Sequence, residues 1–219
     1  MVLILLLNAS LKTSILHFNS KNSLGDMAKL YFYYSAMNAG KSTILLQASY
    51  NYQERGMDTV LFSPHIDTRY QSGKICSRIG LSAKSHTFTD QDDLFALVAH
   101  KKTEYSKIKS VFVDEAQFLR KQQVQQLSDV TDQLSIPVLA YGLRSDFLGE
   151  PFEGSLYLLI WADEIHEIKT ICHCGAKATM NMRVDQQAQK IVAGQQIEIG
   201  GNERYVSVCR KHFKMGQAR

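Results

Sequence analysis

The feature that most limits how this chain can fold is a turn of small residues that joins an apolar run to a helix-like segment. The turn consists of Ser35, Ala36, Met37, Asn38, Ala39, Gly40, Lys41 and Ser42. Residues 30–34 before it are apolar and aromatic, as in a buried strand, and residues 41–55 after it are typical of a helix that Gly56 ends. Apart from Ser35 in the place of the first glycine, this is the pattern of a phosphate loop.

Each part of the turn has a physical role in holding phosphate. Gly40 allows the backbone to curl so that amide groups point at an anion, and the following helix adds its positive N-terminal end. Lys41 can reach the β- and γ-phosphates of ATP, and the Ser42 hydroxyl can bind Mg²⁺. The sequence therefore predicts a nucleoside triphosphate site over residues 35–42. The alternative is an ordinary strand–turn–helix in which the lysine is fortuitous.

Two adjacent acids follow the apolar residues 111–113, where a phosphate-loop fold carries its second Mg²⁺-directed acid. Because neighbouring side chains of an extended strand point to opposite faces, we expect Asp114 and Glu115 to have different tasks. Asp114 would face Mg²⁺, and Glu115 would act as a general base towards a second substrate or a water.

Residues 114–117 also resemble the acidic box of nucleic-acid helicases, but that class needs a second motor domain, for which 219 residues leave no room.

Short apolar runs alternate with helix-length segments from residue 28 onward. We predict strands over residues 30–34, 59–62, 111–113 and 138–141, helices over residues 41–55, 91–102, 118–134 and 155–161, and a long polar loop over residues 64–80. This alternation predicts an α/β fold, a parallel sheet flanked by helices as in P-loop NTPases. After Thr170 the sequence changes to short hairpin-like pieces, which predicts a nucleotide-binding domain over residues 27–168 and a smaller lobe over residues 169–219.

Three of the four cysteines lie in that smaller lobe, as Cys172, Cys174 and Cys209, and His212 follows the last of them. Two close ligand pairs that close a loop are typical of zinc-ribbon-like lobes, in which Zn²⁺ replaces a large core. The one-residue gap between the first two cysteines is tighter than usual. A disulfide is the chief alternative, and His173 could compete as a ligand. Three thiolates and one imidazole leave no open position, so we predict a structural site and reduced thiols in a cytoplasmic protein.

The charge of the chain is uneven but forms no dense basic run. The net charge is +4, and residues 169–219 carry nine Lys/Arg and three Asp/Glu. We therefore expect solvated cations or an anionic small ligand there, and no nucleic-acid partner.

The first seven residues are the only continuous apolar run that suggests targeting. They lack a preceding basic region, a clear cleavage site and the length to span a bilayer, so we expect no membrane partner. We expect residues 1–26 to be an extension and Met27 to be the working start. A targeting peptide and an extra edge element remain alternatives.

Together, these motifs resemble the type II thymidine kinases, especially the bacterial ones, from Met27 to about Lys214. The resemblance extends beyond the motifs above to the segments Asp67-Thr68-Arg69-Tyr70, Tyr141-Gly142-Leu143-Arg144-Ser145-Asp146-Phe147 and Gly200-Gly201-Asn202-Glu203-Arg204-Tyr205. Members of this family tolerate a residue other than glycine at the position of Ser35. Residues 1–26 have no counterpart in the resemblance.

The resemblance implies phosphorylation of thymidine, and of deoxyuridine too, by ATP with Mg²⁺ in a homotetramer. It implies that Glu115 takes the proton from the 5′-hydroxyl, and that Asp67 and Arg69 lie near the Mg²⁺–triphosphate with residues 35–42 and 114–117. It also implies that a loop around residues 197–205 covers the nucleoside. The implied nucleoside-binding residues are Phe118, Phe147, Phe152, Ile197, Glu198, Ile199, Gly200 and Tyr205. From sequence alone, the aromatic residues among them would be assigned to the core.

Two other functions fit parts of the sequence. A phosphate-loop ATPase that acts on nucleic acid would hydrolyse ATP in response to DNA or RNA. A zinc-ribbon binding module with a degenerate nucleotide domain would show no turnover, although intact Lys41, Ser42, Asp114 and Glu115 argue against degeneration.

Overall fold

The structure is a computed structural model that describes residues 27–67, 72–198 and 204–219. Its strands are β1 Leu30–Ser35, β2 Asp58–Pro64, β3 Lys74–Cys76, β4 Ser82–Lys84, β5 His86–Phe88, β6 Ile108–Val113, β7 Val138–Leu143, β8 Glu164–Glu167, β9 Thr170–Ile171, β10 Lys177–Ala178, β11 Met180–Arg183 and β12 Tyr205–Val208. Its α-helices are α1 Lys41–Gln53, α2 Leu94–Glu104, α3 Lys121–Leu134, α4 Glu153–Trp161 and α5 Arg210–Met215, and Ala116–Phe118 form a 3₁₀ helix. The predicted extension over residues 1–26 lies outside the described residues.

Six strands form one parallel sheet in the order β5-β2-β6-β7-β1-β8. The strands β1, β6 and β7 are neighbours, and Ser35 at the end of β1 is in register with Leu143 at the end of β7. Because the strands are parallel, the loops that follow them meet at one edge, which is where α/β sheets bind ligands. The predicted α/β class is confirmed.

Helices cover both faces of the sheet. On one face, α3 buries Val124, Leu127 and Val130, the helical spacing seen in the sequence, against β-strand residues such as Val111. On the other face, α1 packs Leu45 and its neighbours against β6 and β7. Full burial of one such aliphatic side chain stabilises the fold by about 1.5–3 kcal/mol. This packing fixes α1, and therefore the loop before it, relative to the strand ends.

Several boundaries differ from the prediction. The loop predicted over residues 64–80 contains β3, which pairs antiparallel with β4, and the strands β5 and β8 were not predicted. Strands of three or four residues are too short to show an alternating pattern. The helix predicted from residue 118 begins at Lys121, after the 3₁₀ turn. The helix predicted from residue 91 begins at Leu94, because the Asp93 side chain caps it by accepting from the amide of Ala96 at 2.9 Å.

The region after residue 169 is built from shorter pieces. The pairs β9–β10 and β11–β12 are two-stranded and antiparallel, and α5 has six residues. Their small core contains Met182, Val208 and Phe213 beside Cys172. Among the helices of the described residues, none combines the length and apolar character that a bilayer crossing requires.

Candidate active site

The loop between β1 and α1 has the backbone of an anion-binding turn. Asn38 and Gly40 have positive φ angles of 63° and 85°, and α1 begins directly at Lys41. A residue with φ in this range is least strained when it is glycine. The 13 residues of α1 direct the free amides and positive end of the helix towards the loop.

Lys41 is held over this loop. The side chain of Lys41 is buried, and its Nζ donates to Ser35 Oγ at 3.1 Å. The Ser35 hydroxyl in turn donates to the carbonyl of Ala36 at 2.6 Å. The serine at the first glycine position therefore positions the phosphate-loop lysine.

Asp114 lies beside the phosphate loop. Its Oδ2 accepts from Ser42 Oγ at 2.9 Å, and its Oδ1 accepts from the amide of Glu115 at 3.0 Å. Burial, then the charge of Glu115, raise the pKa of Asp114 to about 7, against the opposing effects of Ser42, the Glu115 amide and Lys41. A hydroxyl and a carboxylate oxygen this close are the hard ligands that Mg²⁺ prefers, so these two residues fit a Mg²⁺ site.

Glu115 leaves the strand direction altogether. The strand β6 ends at Val113, and Glu115 has a positive φ of 48° before the 3₁₀ helix. The expectation that alternation along an extended strand separates Asp114 from Glu115 is therefore wrong, because a left-handed turn sets the direction of Glu115. Gln117 Nε2 donates to Glu115 Oε2 at 2.5 Å, and Gln117 Oε1 accepts from the amide of Leu143 at 3.0 Å. Gln117 thus ties the Glu115 carboxylate to the end of β7.

A cavity of about 300 Å³ opens at this edge of the sheet. Of the residues predicted for the site, those that line it are Met37, Asn38, Gly40, Lys41, Ser42, Asp67, Asp114, Glu115, Gln117, Phe118, Phe147, Phe152, Ile197, Glu198 and Tyr205. Ser35, Ala36, Ala39 and Ala116 are not in the lining. Arg69, Ile199 and Gly200 lie outside the described residues.

The aromatic residues form one wall of the cavity. Phe118 and Phe152 meet edge to face, with ring centroids 5.9 Å apart. Phe147 and Tyr205 are almost fully buried, yet both line the cavity. Aromatic side chains offer flat apolar surfaces against which a planar base can pack.

Sequence reasoning missed Asn181 and Arg183, both on β11. Asn181 lines the cavity and accepts from the amide of Met37 at 2.7 Å, and Ser207 Oγ donates to the carbonyl of Met37 at 2.6 Å. Arg183 is buried behind Tyr205. Asn181 and Arg183 alternate with Met180 and Met182, but β11 has only four residues, which is too short a pattern to identify them from the sequence.

Three cysteines and a histidine meet at the start of α5. The ligand atoms of Cys172, Cys174, Cys209 and His212 all lie within 4.8 Å of one another. His212 Nδ1 is 3.3 Å from Cys172 Sγ and 3.5 Å from Cys209 Sγ, close to the spacing of about 3.5 Å that tetrahedral zinc ligands require. The His173 ring stacks on His212 at 4.2 Å and is not one of the four.

The chemistry of the cluster also fits zinc. Burial raises the pKa of Cys172, but hydrogen bonds from the Cys174 amide, from His212 and from the Cys209 amide outweigh it and lower this pKa to about 6. The thiolate is the form that binds metal. Cys76 lies apart from the cluster and lines the cavity instead.

Comparisons with known proteins agree with these features. A family model described as "Thymidine kinase" matches residues 28–213. The thymidine kinase of Legionella pneumophila (strain Lens) is 63% identical over 192 residues, which are 88% of this chain and 92% of the relative. That of Coxiella burnetii (strain RSA 493 / Nine Mile phase I) is 61% identical over 191 residues, 87% of this chain and 97% of the relative.

Among solved structures, the ATPase domain of G40P matches 76% of this chain and 82% of its own, with a TM-score of 0.46 and 13% sequence identity. That likeness is too distant to bear on fold or function. The family match covers most of the chain and the relatives match it nearly end to end, so this chain belongs to the thymidine kinase family.

Proposed function

We propose that this chain transfers the γ-phosphate of ATP to the 5′-hydroxyl of thymidine, and of deoxyuridine, at the cavity described above. The product, thymidine monophosphate, would enter DNA synthesis by nucleoside salvage. One observation carries the proposal: the phosphate loop, the Glu115 carboxylate and an aromatic wall line the same cavity. A phosphate donor and a nucleoside acceptor need this combination, and simple ATP hydrolysis does not need the aromatic wall.

The triphosphate lies along the loop of residues 35–42 in this proposal. Lys41 neutralises charge on the β- and γ-phosphates, and the amides of the loop and of α1 bind phosphate oxygens. Asp67 lines the same cavity and would act near the triphosphate, together with Arg69, which lies outside the described residues.

Ser42 and Asp114 would hold Mg²⁺, because their oxygens are 2.9 Å apart beside the loop. When bound, the ion supplies positive charge that offsets the charge spread over the transferring phosphoryl group. The protein keeps the Ser42 and Asp114 oxygens in fixed positions, because the Asp114 side chain is buried.

Glu115 acts as the general base. Its carboxylate accepts the proton of the 5′-hydroxyl as that oxygen bonds to the γ-phosphorus and the bond from the γ-phosphorus to the bridging oxygen of ADP breaks. Gln117 holds one carboxylate oxygen of Glu115, which supports a fixed direction of attack.

The nucleoside base lies against Phe118, Phe147, Phe152 and Tyr205. The segment that begins with Ile197 and Glu198 covers it, and the predicted contacts of Ile199 and Gly200 belong to the part of that segment outside the described residues.

The four-residue cluster holds structural Zn²⁺ in this proposal, with no position open to substrate. Residues 27–168 form the nucleotide-binding kinase domain and residues 169–219 a zinc-stapled lobe. We also propose a cytoplasmic homotetramer, which light scattering on the purified protein tests.

One coupled assay of ADP release tests the function, with thymidine, deoxycytidine, single-stranded DNA or no acceptor. Release that depends on thymidine supports the proposal. Release stimulated by DNA and indifferent to nucleosides would instead support a nucleic-acid ATPase, and no release with any acceptor would support a binding module.

A further inference from the structure

Arg183 is a buried cation behind the nucleoside wall, and the proposed mechanism does not use it. It is 2% exposed, on β11, opposite Tyr205 on β12. A buried guanidinium is costly unless its donors are paired, so its partners indicate what it holds in place.

The guanidinium reaches two parts of the cavity wall at once. Its Nε and Nη2 donate to the Tyr205 hydroxyl at 3.0 and 2.8 Å. Its flat face lies over the Phe147 ring, with the central carbon 3.7 Å from the ring centroid. Tyr205 and Phe147 both line the cavity, whereas Arg183 lies behind them.

The same group also holds the start of the covering segment. Nη2 donates to the carbonyl of Gln195 at 2.9 Å, and Nη1 lies 3.3 Å from a carboxylate oxygen of Glu198. The Tyr205 hydroxyl, which accepts from Arg183, donates onward to the carbonyl of Glu198 at 2.8 Å. Three separated stretches of chain therefore meet at one side chain.

The geometry points to Arg183 as the positioning residue for the nucleoside side of the site: it fixes Tyr205, Phe147 and residues 195–198 in the arrangement that receives the nucleoside. This inference rests on the proposed function, since it assigns the covering segment to the nucleoside. It predicts that substitution of Arg183 changes the KM for thymidine and leaves the KM for ATP unchanged.

Arg183→Lys is the decisive variant because it keeps the positive charge but loses the planar guanidinium group and its several N–H donors. One ammonium group cannot satisfy Tyr205, Gln195 and Glu198 together or stack flat on Phe147. We expect the KM for thymidine to rise about 10-fold or more, with kcat within about 3-fold and the KM for ATP unchanged. Arg55→Lys, the same change at an exposed position after α1, should leave all three constants unchanged.

Tyr205→Phe provides a second measurement, since it keeps the ring in the wall and removes only the hydroxyl that Arg183 binds. If Arg183 acts through this hydroxyl, the double variant raises the KM for thymidine by clearly less than the product of the two single effects. Independent effects that multiply, or an equal rise in the KM values for thymidine and ATP in Arg183→Lys, would overturn the inference.

Hydrogen exchange on the ligand-free protein separates this inference from the proposed function. In Arg183→Lys, the amides of residues 191–198 should exchange faster than in the wild type, while those of α1 do not change. If the wild type fails to phosphorylate thymidine but this difference is present, the proposed function fails and the positioning role stands. Unchanged exchange over residues 191–198 would refute the positioning role, whatever the activity.

Discussion

The sheet and the region after residue 169 contribute to one cavity but are stabilised in different ways. The sheet has strands of up to seven residues, and helices on both faces bury residues such as Phe32 and Val111 completely. The later region has strands of two to four residues, one six-residue helix and a small core. Its short elements bury little apolar surface, and in our proposal a Zn²⁺ ion held by the four-residue cluster takes the place of a large core.

The two regions also contribute different groups to the cavity. The sheet side carries the groups proposed to react, such as Lys41 and Glu115, and the later region carries Asn181 and Tyr205, which complete the cavity. A rigid apolar core suits the exact placement of reacting groups, whereas a part held by few contacts is suited to open and close over a substrate. Four predictions test this division, from the largest expected effect to the smallest.

Glu115→Gln should have the largest effect, because it removes the proposed base from the sheet side and keeps its size. We expect kcat to fall by about 10²–10⁴-fold, with ATP binding retained. Steady-state kinetics and ATP titration measure the two effects, and the exposed Glu54→Gln is the matched control. Near-normal turnover in Glu115→Gln would show that the base lies elsewhere.

Loss of the proposed zinc site should have the next largest effect, and it tests whether the later region is independent of the sheet. In Cys172→Ser/Cys209→Ser, a loosened lobe should weaken thymidine binding before ATP binding, because the lobe is proposed to cover the nucleoside. The structure adds a link, because Asn181 and Ser207 both bind the backbone of Met37 in the phosphate loop. We therefore expect the KM for thymidine to rise about 10-fold or more and that for ATP about 3-fold.

The measurements for this variant are metal content and both KM values. Cys76→Ser should retain the metal, since Cys76 lies outside the four-residue cluster. Unchanged KM values in a metal-free protein would show that the later region keeps its shape without zinc.

Gly154→Ala should have a smaller effect, confined to packing on the sheet side. A Cβ at Gly154 would lie 2.5 Å from the carbonyl oxygen of Ala116 and 2.8 Å from that of Leu119. Because both are backbone atoms, α4 must move away from the 3₁₀ turn that follows Glu115. We expect the free energy of unfolding to fall by about 1–3 kcal/mol, as in overpacked cores.

Urea denaturation measures this loss, and Leu156→Ala, which truncates a partly exposed side chain on the same helix, should cost less. A Gly154→Ala variant as stable as the wild type would mean that α4 is not locked against the turn.

The sequence predicted the parts of the site whose chemistry is encoded in short spacings. The residues of the phosphate loop and the acids after β6 are consecutive, and the proposed zinc ligands form two close pairs, Cys172 with Cys174 and Cys209 with His212, so local sequence identifies them. It could not predict the direction of Glu115, because a positive φ at a glutamate leaves no local signature. Nor could it predict that Arg183 binds Tyr205, 22 residues away, because that pairing depends on the register of β11 with β12.

The same reasoning applies to the fold. The longer strands of the sheet are continuous apolar runs, and the longer helices have a periodic apolar pattern, of which the buried face of α3 is one example. The strands β5 and β8 have three and four residues, and their pairing with β2 and β1 is decided by the sheet that is already present.

Asp114→Asn should change stability by no more than Gly154→Ala does, and only above about pH 4. It sharpens the comparison by showing that the buried carboxylate of the site lowers the stability of the sheet side. Burial and the neighbouring Glu115 raise the pKa of Asp114 in the ligand-free protein to about 7. Because this pKa is higher in the folded protein than in the unfolded chain, the wild type loses stability as the pH rises from the unfolded value, near 4, through 7. Asn carries no charge at any of these pH values and should remove this loss.

We therefore expect the free energy of unfolding at pH 8, measured by urea denaturation, to be about 1–3 kcal/mol higher for Asp114→Asn than for the wild type. At pH 4 the two proteins should differ little. Asp132→Asn, at an exposed position on α3, should show no such dependence on pH. Activity should fall in Asp114→Asn even though stability rises, since the carboxylate oxygen beside Ser42 is proposed to hold Mg²⁺. An equal stability difference at both pH values would contradict this prediction. It would mean that Asp114 ionises as easily in the folded protein as in the unfolded chain, and that its burial does not lower the stability of the protein.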